Sequence, residues 1–248
     1  MKKSGGRYTR YKVSYSWEGD CEMGENKMPH IQLPENLGIR YAVLPGDPAR
    51  AERAAGYLKD AKLLTFNREY KSYSGFWNGV PVLVMSTGMG GPSMAIAVEE
   101  LQKIGVGDLV MVEAAVRDEG TSLGYAPLSY PAVADHRLLT ACEESAKEAG
   151  CRFHTGIARS HDCLYRDDNP VIYEEWAKKG VLASDMETAA LFVVGRIRGM
   201  RTASILNVVA ACKGNVAENI GRYVDGETLT AQGEEYEILT AFAALTRQ

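Results

Sequence analysis

Short apolar runs of strand length alternate with helical patterns along this chain of 248 residues, and this alternation restricts its fold more than any other feature. Residues 40–44 and 108–116 are apolar runs, and the second is apolar enough for a strand that is covered on both faces. Asn78-Gly79 separates two further runs, at 71–76 and 80–86, and is a strong hairpin signal. Alternation of this kind predicts a three-layer α/β domain.

Helical patterns follow most of these runs. Ala51, Ala54, Ala55 and Leu58 lie on one helical face directly after the first predicted strand. Further helices are predicted at residues 135–149, 170–179, 185–198 and 231–245, and a last buried strand at 202–209. Without a repeat or a linker, residues 29–248 are predicted to form a single domain. Residues 1–28 differ in composition and form an N-terminal extension, for which disorder and a half-buried strand both remain open.

Composition excludes several classes of function. The net charge of −4 gives no general attraction to nucleic acid or to an anionic membrane, so any cationic site must be local. The five cysteines are scattered without a CxxC pair, which argues against structural zinc and for the reduced thiols of a cytoplasmic protein. No apolar run reaches the length of a membrane span, and the N-terminus lacks a signal-peptide core. We therefore expect a cytoplasmic protein with no metal, no nucleic acid partner and no membrane contact.

The pentapeptide Gly46-Asp47-Pro48-Ala49-Arg50 joins the first predicted strand to a helix. Glycine lets a backbone approach a ligand closely, proline suits the first helical turn, and a helix N-terminus attracts anions. The same residues also suit an ordinary turn in which Asp47 caps the helix and Arg50 is solvated. From the pentapeptide alone, the ordinary turn is the better interpretation.

Three other segments carry chemistry of the same kind. Arg68 precedes Glu69-Tyr70 at the start of a strand, where an arginine by itself is a surface charge. The glycine-rich loop at residues 88–93 precedes a helix and offers backbone N–H groups to an anion, but it lacks the Lys-Ser/Thr ending of a P-loop. Ser184 and Glu187 have the spacing of a capping box, although Glu187 would also face the sheet edge where α/β proteins bind ligands.

These segments together resemble the nucleoside phosphorylase family, and within it the uridine phosphorylase branch. The matching phrases occur in family order from about residue 28 to 210: Leu44-Pro45-Gly46-Asp47-Pro48-Ala49-Arg50, Arg68-Glu69-Tyr70, Ser86-Thr87-Gly88-Met89-Gly90-Gly91, Val106-Gly107-Asp108, Arg117-Asp118-Glu119-Gly120, Tyr130-Pro131-Ala132 and Ser184-Asp185-Met186-Glu187-Thr188. The resemblance implies a phosphorylase/hydrolase-like α/β/α fold with a central mixed sheet. It also implies phosphorolysis, in which inorganic phosphate attacks C1′ of a nucleoside and releases a free base and ribose 1-phosphate, with no cofactor.

The resemblance further implies a role for particular residues. Gly46 and Arg50 match residues that hold phosphate, and Arg68 matches an arginine that reaches the phosphate site of a neighbouring subunit. Met186 and Glu187 match residues that hold the ribose, so that Arg50 and Glu187 are the expected catalytic residues. A histidine in the position of His30, in Met28-Pro29-His30, approaches the 5′ end of the sugar from a neighbour. The implied assembly is a homo-oligomer, a dimer or a hexamer built from dimers.

The resemblance also bears on the base. The purine branch carries a general-acid aspartate where this chain reads Val208-Val209-Ala210-Ala211, which favours a pyrimidine. After Ser160-His161-Asp162-Cys163-Leu164-Tyr165 the family continues with a loop whose glutamine and arginine read uracil, whereas this chain passes quickly into a helix. Tyr165 and Arg166 are the remaining candidates beside the base, and Arg166 is better interpreted as an exposed loop charge.

A second departure lies between Ile104 and Asp108, where the family carries a further strand with an arginine and a Thr/Ser-Gly motif. Either that strand is lost, or residues 108–112 take its place with Met111 near the position of the arginine; neither alternative supplies the cation. Three functions therefore remain open. They are a uridine-type phosphorylase, which we favour; an impaired relative that binds a nucleoside or assembles with a paralogue; and a nucleoside hydrolase that uses water.

Overall fold

The computed structural model describes residues 27–109, 113–209 and 228–247. Its strands are β1 (Tyr41–Val43), β2 (Lys59–Asn67), β3 (Tyr70–Trp77), β4 (Val80–Met85), β5 (Asp108–Leu109), β6 (Ala114–Asp118), β7 (Ala132–Val133), β8 (Ile157–His161), β9 (Val181–Asp185) and β10 (Arg201–Thr202). Its helices are α1 (Pro48–Ala55), α2 (Gly91–Lys103), α3 (His136–Glu148), α4 (Asn169–Ala177), α5 (Thr188–Ile197) and α6 (Thr228–Thr246), with a short 3-10 turn at Ser122–Gly124.

The described strands form two mixed sheets, which confirms the α/β class and the mixed pairing. In the first sheet the order is β10-β5-β1-β4-β3-β2, with parallel pairing from β10 to β4 and antiparallel pairing from β4 to β2. In the second the order is β7-β6-β8-β9, where β6, β8 and β9 are parallel and β7 is antiparallel. The sequence predicts one central sheet, whereas the described strands are divided between two.

The apolar run at 108–116 accounts for this division. We expect one strand there, but β5 belongs to the first sheet and β6 to the second. β5 pairs in parallel with both β1 and β10, so the described part of residues 108–112 takes the place of a strand between them. This pairing satisfies backbone groups that β1 and β10 would otherwise expose. Met111 lies outside the described residues.

Helix α5 lies between the two sheets. All of residues 189–194 are fully buried, as expected for a helix that is apolar on every side. It packs against α2, and it contacts β10 of the first sheet and β6, β7 and β8 of the second. β4 supplies much of the remaining core, with Val82, Leu83, Val84 and Met85 fully buried.

Local signals predicted most elements, with several corrections. Asn78 and Gly79 adopt φ of 49° and 83°, as a tight hairpin between β3 and β4 requires. The mostly exposed β2 was not predicted; it is an edge strand whose apolar side chains Leu63, Leu64 and Phe66 are exposed. The helix predicted from residue 185 begins at Thr188, after an unpredicted β9, and the strand predicted at 202–209 is confined to β10.

The N-terminal extension lies outside the described residues up to residue 26. Lys27 forms an isolated bridge with Pro34, and Met28 is buried. Among the described helices, none is long and apolar enough to cross a membrane.

Candidate functional site

Two glycine-containing loops meet at the carboxyl ends of the parallel neighbours β1 and β4. Gly88 N–H donates to the carbonyl of Gly46 at 2.9 Å, and Thr87 N–H donates to that of Pro45 at 3.0 Å. A Cβ on Gly46 would lie 3.1 Å from the Gly88 oxygen, and Gly88 has φ of 74°. The fold therefore places both predicted anion-binding loops together at the sheet edge where α/β proteins bind ligands.

Arg50 lies on the first turn of α1 beside this edge, but it is not solvated. Its side chain is 19% exposed, with Nε 3.4 Å from Oε2 of Glu234 and Nη1 3.7 Å from Oε2 of Glu237. Asp47 caps α1 as predicted and accepts from the N–H groups of Ala49 and Arg50 at 3.0 and 3.1 Å. The groups that a phosphate would use therefore already bind carboxylates: the Arg50 guanidinium pairs with Glu234 and Glu237, and the first amides of α1 donate to Asp47.

Glu234 and Glu237 were not predicted as part of the site. Both lie on α6, and Glu234 also makes a bidentate pair with Arg53 at 2.5 and 2.9 Å. Burial raises the pKa of Glu237 to about 7, with Arg50 opposing the shift and Glu234 adding to it. A sequence does not distinguish such acids from solvated ones on an amphipathic helix, because their partner is almost 190 residues away along the chain.

The space beside Arg50 is small. A cavity of about 30 Å³ is lined there by Arg50, Ala54, Ile205, Glu237 and other residues. That volume holds about two water molecules. A phosphate ion that contacts the Arg50 guanidinium there has to displace the carboxylates of Glu234 and Glu237.

Glu187 connects the start of α5 to the glycine-rich loop. Its Oε1 accepts from Gly90 N–H at 2.5 Å and its Oε2 from Met186 N–H at 3.1 Å. Burial raises the pKa of Glu187 to about 7; the Gly90 hydrogen bond opposes this shift and Asp185 adds to it. The carboxylate is therefore held at the sheet edge, with Met186 beside it in the chain.

The capping-box interpretation of Ser184 and Glu187 is wrong. Ser184 lies in β9 and donates from Oγ to the carbonyl of Arg159 at 3.1 Å. The N-cap of α5 is Glu187 itself, and Oδ2 of Asp185, two residues earlier, accepts from the first helical N–H group, that of Thr188, at 2.8 Å. The carboxylate of Glu187 is consequently not used as the N3 partner of a capping box.

The loop that leads into α2 is fixed by a residue that the sequence analysis did not select. Glu69 accepts a hydrogen bond from Ser93 Oγ at 2.6 Å, which lowers the pKa of that carboxyl. Tyr70 donates from its hydroxyl to the carbonyl of Ser93 at 3.0 Å. The Arg68-Glu69-Tyr70 phrase therefore supports the glycine-rich loop through its last two residues.

His30 and Arg68 lie near each other on the surface of the subunit. His30 has Nδ1 2.6 Å from Oε1 of Glu100, and its carbonyl accepts from Asn67 Nδ2 at 2.7 Å. Arg68 follows Asn67 in the turn between β2 and β3, where it is exposed and has φ of 54°. The structure thus brings these two predicted residues together through Asn67, and both are accessible to a neighbouring molecule.

The two base-side candidates lie in an exposed loop. Tyr165 is 75% exposed, and Arg166 makes a bidentate ion pair with Asp168 at 2.8 and 2.6 Å. The interpretation of Arg166 as a loop charge agrees with this geometry. Among the described residues, no cluster of three or more His, Cys, Asp or Glu side chains could hold a metal ion.

Comparisons with known proteins agree on one family. Residues 101–242 match the profile of the phosphorylase superfamily. The uridine phosphorylase of Treponema pallidum is 36% identical over 77% of this chain and 82% of its own. The guanosine phosphorylase of Halorubrum lacusprofundi is 34% identical, with 73% and 83% covered. The crystal structure of uridine phosphorylase from Vibrio fischeri superposes with a TM-score of 0.82, at 36% identity over 90% of this chain and 97% of that one.

Proposed function

Because this chain belongs to the phosphorylase superfamily, as a member of its nucleoside phosphorylase family, we propose that it cleaves a pyrimidine nucleoside with inorganic phosphate. The reaction is a pentosyl transfer that yields a free base and ribose 1-phosphate. Uridine is the favoured substrate, since uridine phosphorylases are among the relatives and residues 208–211 carry no carboxylate. Guanosine belongs in the same test, because a guanosine phosphorylase is also among them.

The observation that carries this proposal is the carboxylate of Glu187, held by Gly90 N–H beside the paired Gly46 and Gly88 loops. A carboxylate there suits the ribose hydroxyls as hydrogen-bond acceptor. C1′ becomes oxocarbenium-like as the bond to the base breaks, and a nearby anion stabilises that charge. Phosphate attacks C1′ once it is held by Gly46 and Arg50, which requires Arg50 to exchange Glu234 and Glu237 for the phosphate oxygens.

We also propose that the working site is shared between subunits of a homo-oligomer. The side chains of His30 and Arg68 are both accessible at the surface, and Asn67, next to Arg68 in the chain, donates to the His30 carbonyl. Arg68 of a neighbour would supply positive charge to phosphate in addition to Arg50. His30, fixed through Nδ1 by Glu100, would present Nε2 to the 5′ hydroxyl.

The test is release of uracil from uridine with and without phosphate, alongside guanosine. We expect release that requires phosphate, and a loss of about 10²–10³-fold in kcat/KM for Glu187→Gln. Glu99→Gln is the matched control, because Glu99 makes a surface ion pair with Arg198. Release that is unchanged without phosphate would identify a hydrolase and reject phosphorolysis.

A second candidate is nucleoside binding without turnover, alone or in assembly with a paralogue. The ion pairs of Arg50 with Glu234 and Glu237 favour it, because these carboxylates already hold the guanidinium and leave only a cavity of about 30 Å³ beside it. Titration calorimetry separates the two functions. Uridine binding that is independent of phosphate, with no uracil formed at high enzyme concentration, would support the second function over the first.

A further inference from the structure

Two side chains at the carboxyl ends of β8 and β9 hold the first turn of α5. Ser160 and Asp185 are register partners on these parallel strands, and Ser160 Oγ donates to Asp185 Oδ1 at 2.6 Å. Oδ2 of Asp185 accepts from the N–H groups of Glu187 and Thr188 at 3.3 and 2.8 Å. Ser160 Oγ in turn accepts from Ala189 N–H at 2.9 Å. The pair therefore binds three consecutive N–H groups that have no acceptor within the helix.

This network holds the backbone of the residue that carries the proposed function. Asp185 binds the N–H group of Glu187 from the side of the sheet, while the Glu187 carboxylate accepts from the N–H groups of Gly90 and Met186 at 2.5 and 3.1 Å. Ser160 is fully buried, so its effect on a ligand has to pass through its hydrogen-bond partners. The direction of the Glu187 carboxylate thus depends on side chains behind it in the sheet.

Asp185 also acts on Glu187 through its charge. Burial raises the pKa of Glu187 to about 7, the Gly90 hydrogen bond opposes this shift, and the negative charge of Asp185 adds to it. A neighbouring carboxylate disfavours ionisation because like charges repel. The other titratable or charged groups that face this corner from neighbouring elements of the described chain are Glu69, Arg117, Glu119 and His161.

We propose that Asp185 and Ser160 are positioning residues for Glu187: together they direct its carboxylate toward the sugar, and the charge of Asp185 sets the pH range in which that carboxylate is ionised. These roles rest on the proposed function, which assigns the Glu187 carboxylate to the ribose. Ser160 acts through hydrogen bonds alone, whereas Asp185 acts through hydrogen bonds and charge. One substitution at each residue therefore separates direction from charge.

Asp185→Asn tests the charge, because an amide keeps an oxygen for the N–H groups of α5 and removes the negative charge. Carbon-13 NMR of carboxyl-labelled glutamate on the full chain follows the titration without substrate, with the Glu187 signal assigned by its loss in Glu187→Gln. We expect the midpoint, at about pH 7 in the unmodified protein, to move to lower pH. Asp135→Asn is the matched control, since Asp135 caps α3 by accepting from Leu138 N–H at 3.1 Å and should leave the midpoint unchanged.

The same shift should appear in turnover. The pH dependence of kcat/KM reports groups of the free enzyme, so the ratio of kcat/KM for uridine at pH 8 to that at pH 6 should be smaller for Asp185→Asn than for the unmodified protein. The titration of phosphate itself is common to both proteins and cancels in this comparison.

Ser160→Ala tests the direction. We expect kcat/KM for uridine to fall by up to about 10²-fold, the cost of misplacing a reacting group. The loss should persist at pH 8, where Glu187 is ionised, because it does not come from charge. Ser145→Ala is the matched control: it removes another buried hydroxyl, which accepts from Arg247 at 3.3 Å in α3, and should keep kcat/KM within about twofold of the unmodified value.

A Glu187 midpoint that does not move in folded Asp185→Asn would overturn the role of the charge. Folded Ser160→Ala with unchanged kcat/KM at pH 8 would overturn the positioning role and leave a purely structural one, visible only as reduced stability. If Asp185→Asn does not fold, Ser160→Ala decides alone. If uridine is bound but not cleaved, its affinity by calorimetry replaces kcat/KM in both comparisons, so failure of phosphorolysis is distinguished from failure of the positioning pair.

Discussion

At the scale of single residues, two largely buried carboxyl groups dominate the candidate site. Burial raises the pKa of both Glu187 and Glu237 to about 7. Backbone hydrogen bonds oppose this shift at Glu187, and Arg50 opposes it at Glu237. Each group binds a proton more tightly in the folded than in the unfolded protein. The stability that they contribute is therefore complete below the unfolded pKa, near 4.5, and is lost as the pH rises through about 7.

This linkage predicts the stability of Glu237→Gln. The unmodified protein should lose up to roughly 3 kcal/mol per group in unfolding free energy between pH 4.5 and 7, and the variant should lose less because it carries one such group fewer. Urea denaturation at pH 5, 6, 7 and 8 measures both curves. Glu235→Gln changes an exposed acid two residues before Glu237, and its curve should follow that of the unmodified protein. Parallel curves for Glu237→Gln and the unmodified protein would rule out the shifted titration.

At the scale of elements, the first turn of α1 depends on one capping side chain. Asp47 accepts from the N–H groups of Ala49 and Arg50, and it also lies 3.8 Å from Arg53. Asp47→Ala should therefore reduce the unfolding free energy by about 1 kcal/mol, within the usual range for loss of a cap. Asp47→Asn retains a cap and should remain within a few tenths of a kcal/mol. Denaturant unfolding of the three proteins measures this, and an equal loss for Ala and Asn would assign the effect to charge instead.

Elements that depend on neighbouring residues were predictable from the sequence, and those that depend on distant contacts were not. Asp47-Pro48 and Asn78-Gly79 set a helix start and a hairpin by their own backbone preferences. β9 alternates half-buried and exposed residues without a strong apolar pattern, and its pairing with β8 defines it. The meeting of Gly46 with Gly88 depends on the pairing of β1 with β4, and the ion pairs of Arg50 with Glu234 and Glu237 depend on the position of α6.

At the scale of the whole molecule, α5 and α6 determine how the candidate site is assembled. α5 contacts strands of both sheets and carries Glu187 at its start, so the ribose candidate is fixed to the core. α6 packs on α3 and places its carboxylates on Arg50 of α1, so the phosphate candidate depends on a helix at the end of the chain. The two halves of the site are therefore held in different ways: buried apolar packing holds the start of α5, whereas ion pairs hold Arg50 to α6.

The proposed sharing of sites between subunits predicts complementation between two inactive variants. Glu187→Gln removes a group that would act within its own subunit, and Arg68→Ala removes one that would act in the neighbour. In a two-fold dimer that contains one chain of each kind, one site has both Glu187 and the partner's arginine, and the other site has neither. Co-expressed chains that pair at random should therefore recover about a quarter of the unmodified uridine phosphorolysis, although each variant alone is nearly inactive. Activity of the mixture that equals only the mean of the two variants would place Arg68 outside the neighbour's site.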